Sequence, residues 1–279
     1  KEYKKRWVDL SNWKATYNLF QETKPTHVIH TAARVGGLGA NMNYMSEFYT
    51  QNTAINLNVL EAARRAGVEK VVSFLSTCIF PDDVEYPLCE HMLHDGAPHT
   101  SNFGYAKRML DVHSRAIKEQ YGLNYICVIP TNIYGPNDNF NLDDSHVVPA
   151  LIHKCYLAKK NKTDLVVWGS GKPIREFIYS EDVGELTQLI LDEYDGPGPL
   201  IISSGEEISI KDLVDLIVKA MKFKGKIVFD DSKPDGQYRK TTSNLLLKTI
   251  FPKYKFTKLK QGIKKTVDWF VENYESCRK

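Results

Sequence analysis

Nothing near residue 1 resembles the glycine-rich strand, turn and helix with which a dinucleotide-binding sheet begins; charged residues dominate Lys1 to Arg6 instead. No apolar run approaches the roughly 18 residues that a membrane helix requires, and the first residues lack the pattern of a signal peptide. The five cysteines (Cys78, Cys89, Cys127, Cys155 and Cys277) are odd in number and show neither a C-x-x-C pair nor Cys/His ligand spacing. A disulfide framework and a structural metal are therefore not expected, and a reduced, cytoplasmic setting is. Charge of one sign is also scarce: 37 Lys and Arg stand against 34 Asp and Glu, a net of +3. The local basic clusters, Lys4-Lys5-Arg6 and Lys258, Lys260, Lys264 and Lys265, have the size of a solvated face, so nucleic acid is not an expected partner. Internal repeats and low-complexity tracts are missing.

What is present is an alternation of short β-branched runs with helical stretches. Thr26 to His30 is too short for a helix and reads as a buried parallel strand, followed by the small residues Thr31-Ala32-Ala33. Asn52 to Ala66 reads as a helix stopped by Gly67, Lys70 to Ser76 as a second buried strand, Tyr105 to Tyr121 as an amphipathic helix closed by Gly122, and Tyr125 to Pro130 as a third strand. These intervals predict a doubly wound parallel sheet of the α/β class. Ligands of such sheets lie beyond the carboxyl ends of the strands, which gathers Ala32-Ala33, Ser76-Thr77-Cys78 and Thr131-Asn132 around one crevice. Gly36-Gly37-Leu38-Gly39 is glycine-rich, but it follows what reads as a fourth strand and opens onto no strong helix. It is not expected to be the phosphate loop; the expectation is that the first strand, turn and helix of the sheet are missing from the chain. Beyond Asn139 the texture changes to loops rich in Asp and Gly between short strands (165–168, 226–229) and helices (210–221, 259–274), a smaller α/β lobe in which helix 181–192 packs back on the main sheet.

Several segments, in order, are similar to one known branch of proteins: His30 to Gly37 (HTAARVGG), Leu75 to Pro81 (LSTCIFP), Pro130 to Phe140 (PTNIYGPNDNF), Ser145 to Leu151 (SHVVPAL), Val167 to Gly171 (VWGSG) and Arg175 to Tyr179 (REFIY). On these motifs the chain resembles the GDP-L-fucose synthase branch of the extended short-chain dehydrogenase/reductase family. The resemblance runs from about Trp7 to the end. It implies a Rossmann-like NADP-binding domain at 1–140 and a substrate-binding lobe at 141–279. It also implies epimerisation of a GDP-4-keto-6-deoxy-D-mannose substrate at carbons 3 and 5, then reduction of the ketone by NADPH. The catalytic residues it implies are Ser76, Cys78, Tyr105, Lys107 and His146, with Cys78 and His146 exchanging the ring protons. Cofactor contacts would come from Ala32, Ala33, Ser76, Lys107, Pro130, Thr131, Asn132, Ile133 and His146, and substrate contacts from Lys154, Trp168, Arg175 and Asp235. It further implies a homodimer paired through helices 52–66 and 105–121, with no resident metal.

Such chemistry suits these residue types. Epimerisation beside a ketone takes a base on one face and an acid on the other. A cysteine serves when positive charge favours its thiolate. An arginine grips a diphosphate through two oxygens. One departure stands out. The family spaces its tyrosine and lysine Y-x-x-x-K, whereas Tyr105 and Lys107 are two apart, pointing roughly 200° from one another on a helix. The position four before Lys107 is Phe103, which has no hydroxyl. The alternatives are a truncated, impaired form or fragment of such an enzyme, and another nucleotide-sugar epimerase or dehydratase of the extended class. A dehydratase would carry Asp-Glu after Thr77, where Cys78-Ile79 stands, and a plain 4-epimerase has no use for Cys78 with His146.

Overall fold

A computed structural model of the chain describes residues 6–36, 43–98, 101–233, 235 and 237–279. Its main sheet has four parallel strands in the order β1 (His27–His30), β2 (Lys70–Phe74), β3 (Asn124–Pro130) and β7 (Leu200–Ile202). Alternation along each strand sends side chains to opposite faces. Val71, Tyr125, Cys127 and Ile129 meet Val59, Leu60 and Ala63 of α2 (Met45–Arg65) and Leu110 and Ile117 of α3 (Ser101–Tyr121). Val72, Ile126 and Val128 meet Val183, Leu186 and Ile190 of α5 (Ser180–Glu193) on the other face. Both faces are thus covered, which is why β2 and β3 read as continuous apolar runs. Full burial of each such Leu or Ile contributes about 1.5–3 kcal/mol. The α/β doubly wound architecture is that expected from the sequence.

β1 departs from its reading as a buried strand. Val28 packs with the α2 and α3 side, but α5, which covers Val72 and Ile126, leaves Ile29 47% exposed. Among the described residues β1 pairs with β2. The glycine-rich stretch 37–39 lies outside the described residues.

The remainder of the chain builds a second layer. β4 (Asn132–Tyr134) and β10 (Arg239–Lys240) flank β6 (Ile174–Tyr179) in parallel, β8 (Glu207–Ser209) pairs with β6 antiparallel, and β5 (Leu165–Trp168) pairs with β9 (Ile227–Asp230). Helices α4 (Val147–Asn161), α6 (Ile210–Met221) and α8 (Leu259–Glu272) pack Ile152, Leu213, Ile217, Ile263 and Phe270 around Tyr134 and Phe140. Ser209 starts α6 by accepting from Asp212 N at 3.0 Å. β4 continues directly from β3 through Thr131, so the second layer begins where the main sheet presents its strand ends.

Candidate active site

β2 ends at Phe74 and the chain turns sharply: Ser76 begins a single 3₁₀ turn, Thr77–Ile79, and its Oγ accepts from Cys78 N at 3.4 Å. Ser76 and Cys78 therefore share one turn at a strand's carboxyl end. Lys107 reaches this turn from α3. It is 3% exposed, and its Nζ donates to Phe74 O at 2.7 Å. Burial pulls the Lys107 amine down to about 8, against the pull upward of the Cys78 and Cys127 sulfurs. A cation beside Cys78 is what an accessible thiolate needs.

The crevice floor is held by two asparagines of α2. Asn56 Oδ1 meets His30 Nε2 at 3.0 Å, which places the ring proton on Nε2, while Asn56 Nδ2 donates to Ala106 O at 3.2 Å. Burial, followed by the charge of Lys107, lowers His30 to about 4, so the ring is neutral. Asn52 clamps Arg34 from both sides, accepting from its N–H at 3.0 Å and donating to its carbonyl at 3.1 Å. This fixes the exit of β1, where Ala32 and Ala33 sit half-buried. Neither asparagine was singled out in the sequence, because a polar residue inside a helix reads as a surface residue until its partners are known.

Tyr105 and Lys107 are not brought together. Tyr105 is 42% exposed on the outer side of α3, in a stripe with Met109 and Val112. The helix is regular from Ser101 to Tyr121, so two residues of separation turn the phenol away from the crevice. Phe103 occupies the position one turn before Lys107. The Lys107 ammonium lies 5.8 Å from its ring centroid, and the ring meets Phe48 edge-on at 6.3 Å.

At the next strand end, Thr131 N donates to Ile202 O at 3.1 Å, yet its buried Oγ1 has no hydrogen-bond partner among the described residues. Asn132 Nδ2 donates to Glu176 O at 2.8 Å, and Ile133 is 36% exposed after Pro130 and Thr131. The orphaned Thr131 hydroxyl and the desolvated Lys107 amine fit the polar ribose and amide end of a nicotinamide cofactor.

Asn132, Trp168, Arg175 and Asp235 all line one cleft of about 190 Å³, closed by Val147, Gly171, Pro173 and Ile210. Trp168 is 62% exposed, with the Lys154 ammonium 4.3 Å from its ring centroid. Burial lowers the Lys154 amine and the Arg175 guanidinium, the latter supported by Tyr86 and Asp235. Two cations that have lost water favour an anionic ligand. Asp235 is fastened by Ser170, whose N–H and Oγ donate at 2.6 and 2.7 Å and hold its carboxyl below the usual range. Gly169, with φ +84°, permits this approach, since a Cβ there would lie 2.3 Å from Asp235 Oδ1.

His146 is exposed at the N-terminus of α4 and faces the half-buried Asp138, whose carboxyl is raised by burial and held down in part by His146. No hydrogen bond joins His146 to Cys78. A second cavity, of about 210 Å³, lies between α3 and β3 beside Asp111, Arg115 and Cys127, and contains none of the residues expected from the sequence. Among the described residues no cluster of His, Cys, Asp and Glu is arranged to hold a metal, and no helix is long and apolar enough to cross a membrane.

Lys107 sets a pH dependence. If its ammonium assists hydride transfer, NADPH oxidation should fall as pH rises through about 8. The folded value lies below that of a free lysine, about 10.4. The folded state therefore binds fewer protons than the unfolded one above about 8, and stability rises with pH there while the rate falls. Opposite slopes of rate and Tm should be measured between pH 8 and 10; Lys107→Arg, which stays charged, should lose both inflections.

The pattern of the NAD dependent epimerase/dehydratase family matches residues 2–205. A GDP-L-fucose synthase of Dictyostelium discoideum is 54% identical over 97% of this chain and 86% of its own length. A probable GDP-L-fucose synthase of Drosophila melanogaster is 47% identical over 98% of this chain and 88% of its own. The crystal structure of a GDP-L-fucose synthetase from Naegleria fowleri bound to NADP superposes with a TM-score of 0.93 at 45% identity, covering 97% of this chain and 84% of that one. Coverage of this order lends no support to the alternative of an impaired fragment.

Proposed function

The chain belongs to the NAD dependent epimerase/dehydratase family, and we propose that it makes GDP-L-fucose from GDP-4-keto-6-deoxy-D-mannose. The observation that carries this reading is the pairing of Cys78 and Lys107 at the end of β2 with a cation-lined cleft beside Trp168. A plain reductase has no need of the thiol.

In this reading Arg175 and Lys154 hold the diphosphate, Trp168 packs on the nucleotide, and Asp235 accepts from a hydroxyl or a guanine N–H. Cys78 and His146 move protons at carbons 3 and 5, one from each face, so that each centre inverts through an enolate. Ser76 donates to the ketone oxygen, and Lys107 offsets the charge that grows there. Ala32, Ala33 and Pro130 to Ile133 border the nicotinamide end of the cofactor. NADPH, when bound, supplies the hydride to carbon 4. A reducing cytoplasmic setting belongs to the same reading, since Cys78 works only as a free thiol.

We also propose that two copies pair through α2 and α3. Tyr105, Met109 and Val112 recur at helical spacing and, with Tyr49 and Leu57 of α2, leave an apolar stripe 42–51% exposed. Met109→Glu should give a monomer by sedimentation.

NADPH oxidation with the GDP-linked keto-sugar and with a UDP-linked counterpart tests the substrate assignment. Turnover confined to the GDP sugar is expected, and the reverse preference would overturn it. Arg175→Lys should raise the KM for the GDP sugar by about tenfold with kcat little changed, since diphosphate contacts are similar in ground and transition states. An unchanged KM removes Arg175 from the diphosphate.

A further inference from the structure

Arg108 follows Lys107 on α3 and lies outside the segments that carry the family resemblance. It is 4% exposed. Its guanidinium reaches two backbone carbonyls on separate loops: Nε donates to Ile79 O at 2.7 Å, and a terminal nitrogen donates to Gly96 O. Ile79 closes the 3₁₀ turn that carries Cys78. The chain entering that turn is fastened separately. Leu75 N donates to Val128 O of β3 at 2.8 Å, and Lys107 Nζ donates to Phe74 O. Bonds within the turn are longer: Cys78 N to Ser76 Oγ at 3.4 Å, Ile79 N to Ser76 O at 3.2 Å and Phe80 N to Thr77 O at 3.4 Å. The helix also lies against the turn itself, since a Cβ at Gly104 would stand 3.4 Å from Cys78 O. Gly104, Lys107 and Arg108 are one helical turn apart, so a single face of α3 holds the chain before, at and after Cys78. A buried guanidinium whose partners are carbonyls rather than a carboxylate is costly to the fold, and an apolar side chain of its volume often packs as well. That cost points to a task beyond packing.

We propose that Arg108 is a positioning residue for the epimerisation: acting through Ile79, it fixes the 3₁₀ turn so that Cys78 meets the proton on the carbon beside the ketone. Proton transfer needs the base within hydrogen-bond reach, and a displacement of about 1 Å can cost on the order of a hundredfold. Ser76 sits nearer the end held by β3 and Lys107, so reduction at carbon 4 depends less on Arg108. This inference rests on Cys78 being a base of the epimerisation, and the experiment keeps the two claims apart.

Arg108→Met removes both hydrogen bonds while keeping a long apolar side chain. In the full chain without ligand, amide hydrogen exchange over residues 75–81, read by peptide mass spectrometry, should quicken by about tenfold, with β2 and β3 as protected as before. Exchange of the keto-sugar's ring protons with solvent should fall by about tenfold to a hundredfold. The KM, and reduction of a sugar already epimerised, should change by less than about threefold. Arg108→Lys, which can still donate to Ile79 O, should keep ring-proton exchange within about threefold of the original. Arg108→Gln serves should the methionine variant not fold. Unchanged amide protection, or equal losses of ring-proton exchange and reduction, would overturn the proposal and leave Arg108 a support of the fold alone. Failure of the underlying reading looks different: Cys78→Ser would still exchange the ring protons, and the amide exchange would still show whether Arg108 holds the turn.

Discussion

Phe103→Tyr is expected to raise NADPH oxidation at saturating keto-sugar by about tenfold to a hundredfold, the range that a positioned acid contributes. Position 103 is one helical turn before Lys107, and the Lys107 ammonium already lies 5.8 Å from the centre of the ring that would carry the new hydroxyl. The nearby cation favours the phenolate, so the phenol gives up its proton readily to the oxygen that receives charge when carbon 4 is reduced. In the proposed reading Ser76 is then the remaining donor at the ketone, and reduction is expected to be the slower half of the reaction. Tyr105→Phe, on the outer side of α3, should change the rate by less than about twofold, as surface substitutions do. The opposite pair of results, no gain from Phe103→Tyr and a collapse with Tyr105→Phe, would mean that α3 rewinds on ligand binding to bring Tyr105 inward.

Cys78→Ser is expected to slow exchange of the ring protons with solvent by at least about a hundredfold. A serine hydroxyl at the same place keeps the hydrogen-bonding capacity but has almost no anion at neutral pH, even beside Lys107. Reduction of a keto-sugar already epimerised at carbons 3 and 5 should fall by less than about threefold, because Ser76 and Lys107 are untouched. The separation is sharp because Cys78 sits on the turn with Ser76, but only Ser76 Oγ is tied into that turn by its own hydrogen bond. Loss of both activities together would contradict the division of labour.

Much of this was legible in the sequence for a physical reason. Val71-Val72 and Tyr125 to Ile129 are buried on both faces, so their apolar runs declare a parallel sheet, and the residues after them must lie at strand ends. The cleft residues Trp168, Arg175 and Asp235 were reachable only by resemblance, since each alone is an ordinary lobe residue; geometry is what gathers them. Ile29 differs from its reading: its β-branched run suggested burial, yet it is 47% exposed, since burial depends on neighbours that a short run does not reveal. Tyr105 is a subtler case: the helical period already turned it away from Lys107, and the structure adds the apolar stripe that it joins.

The central claim is that one crevice both inverts two carbons and reduces a third. It is tested most directly by incubating the chain with GDP-4-keto-6-deoxy-D-mannose and NADPH in D₂O and locating deuterium in the product by NMR. The account predicts GDP-L-fucose carrying solvent deuterium at carbons 3 and 5 and protium from NADPH at carbon 4. A reduced sugar that keeps its original configuration and carries no solvent deuterium would contradict it.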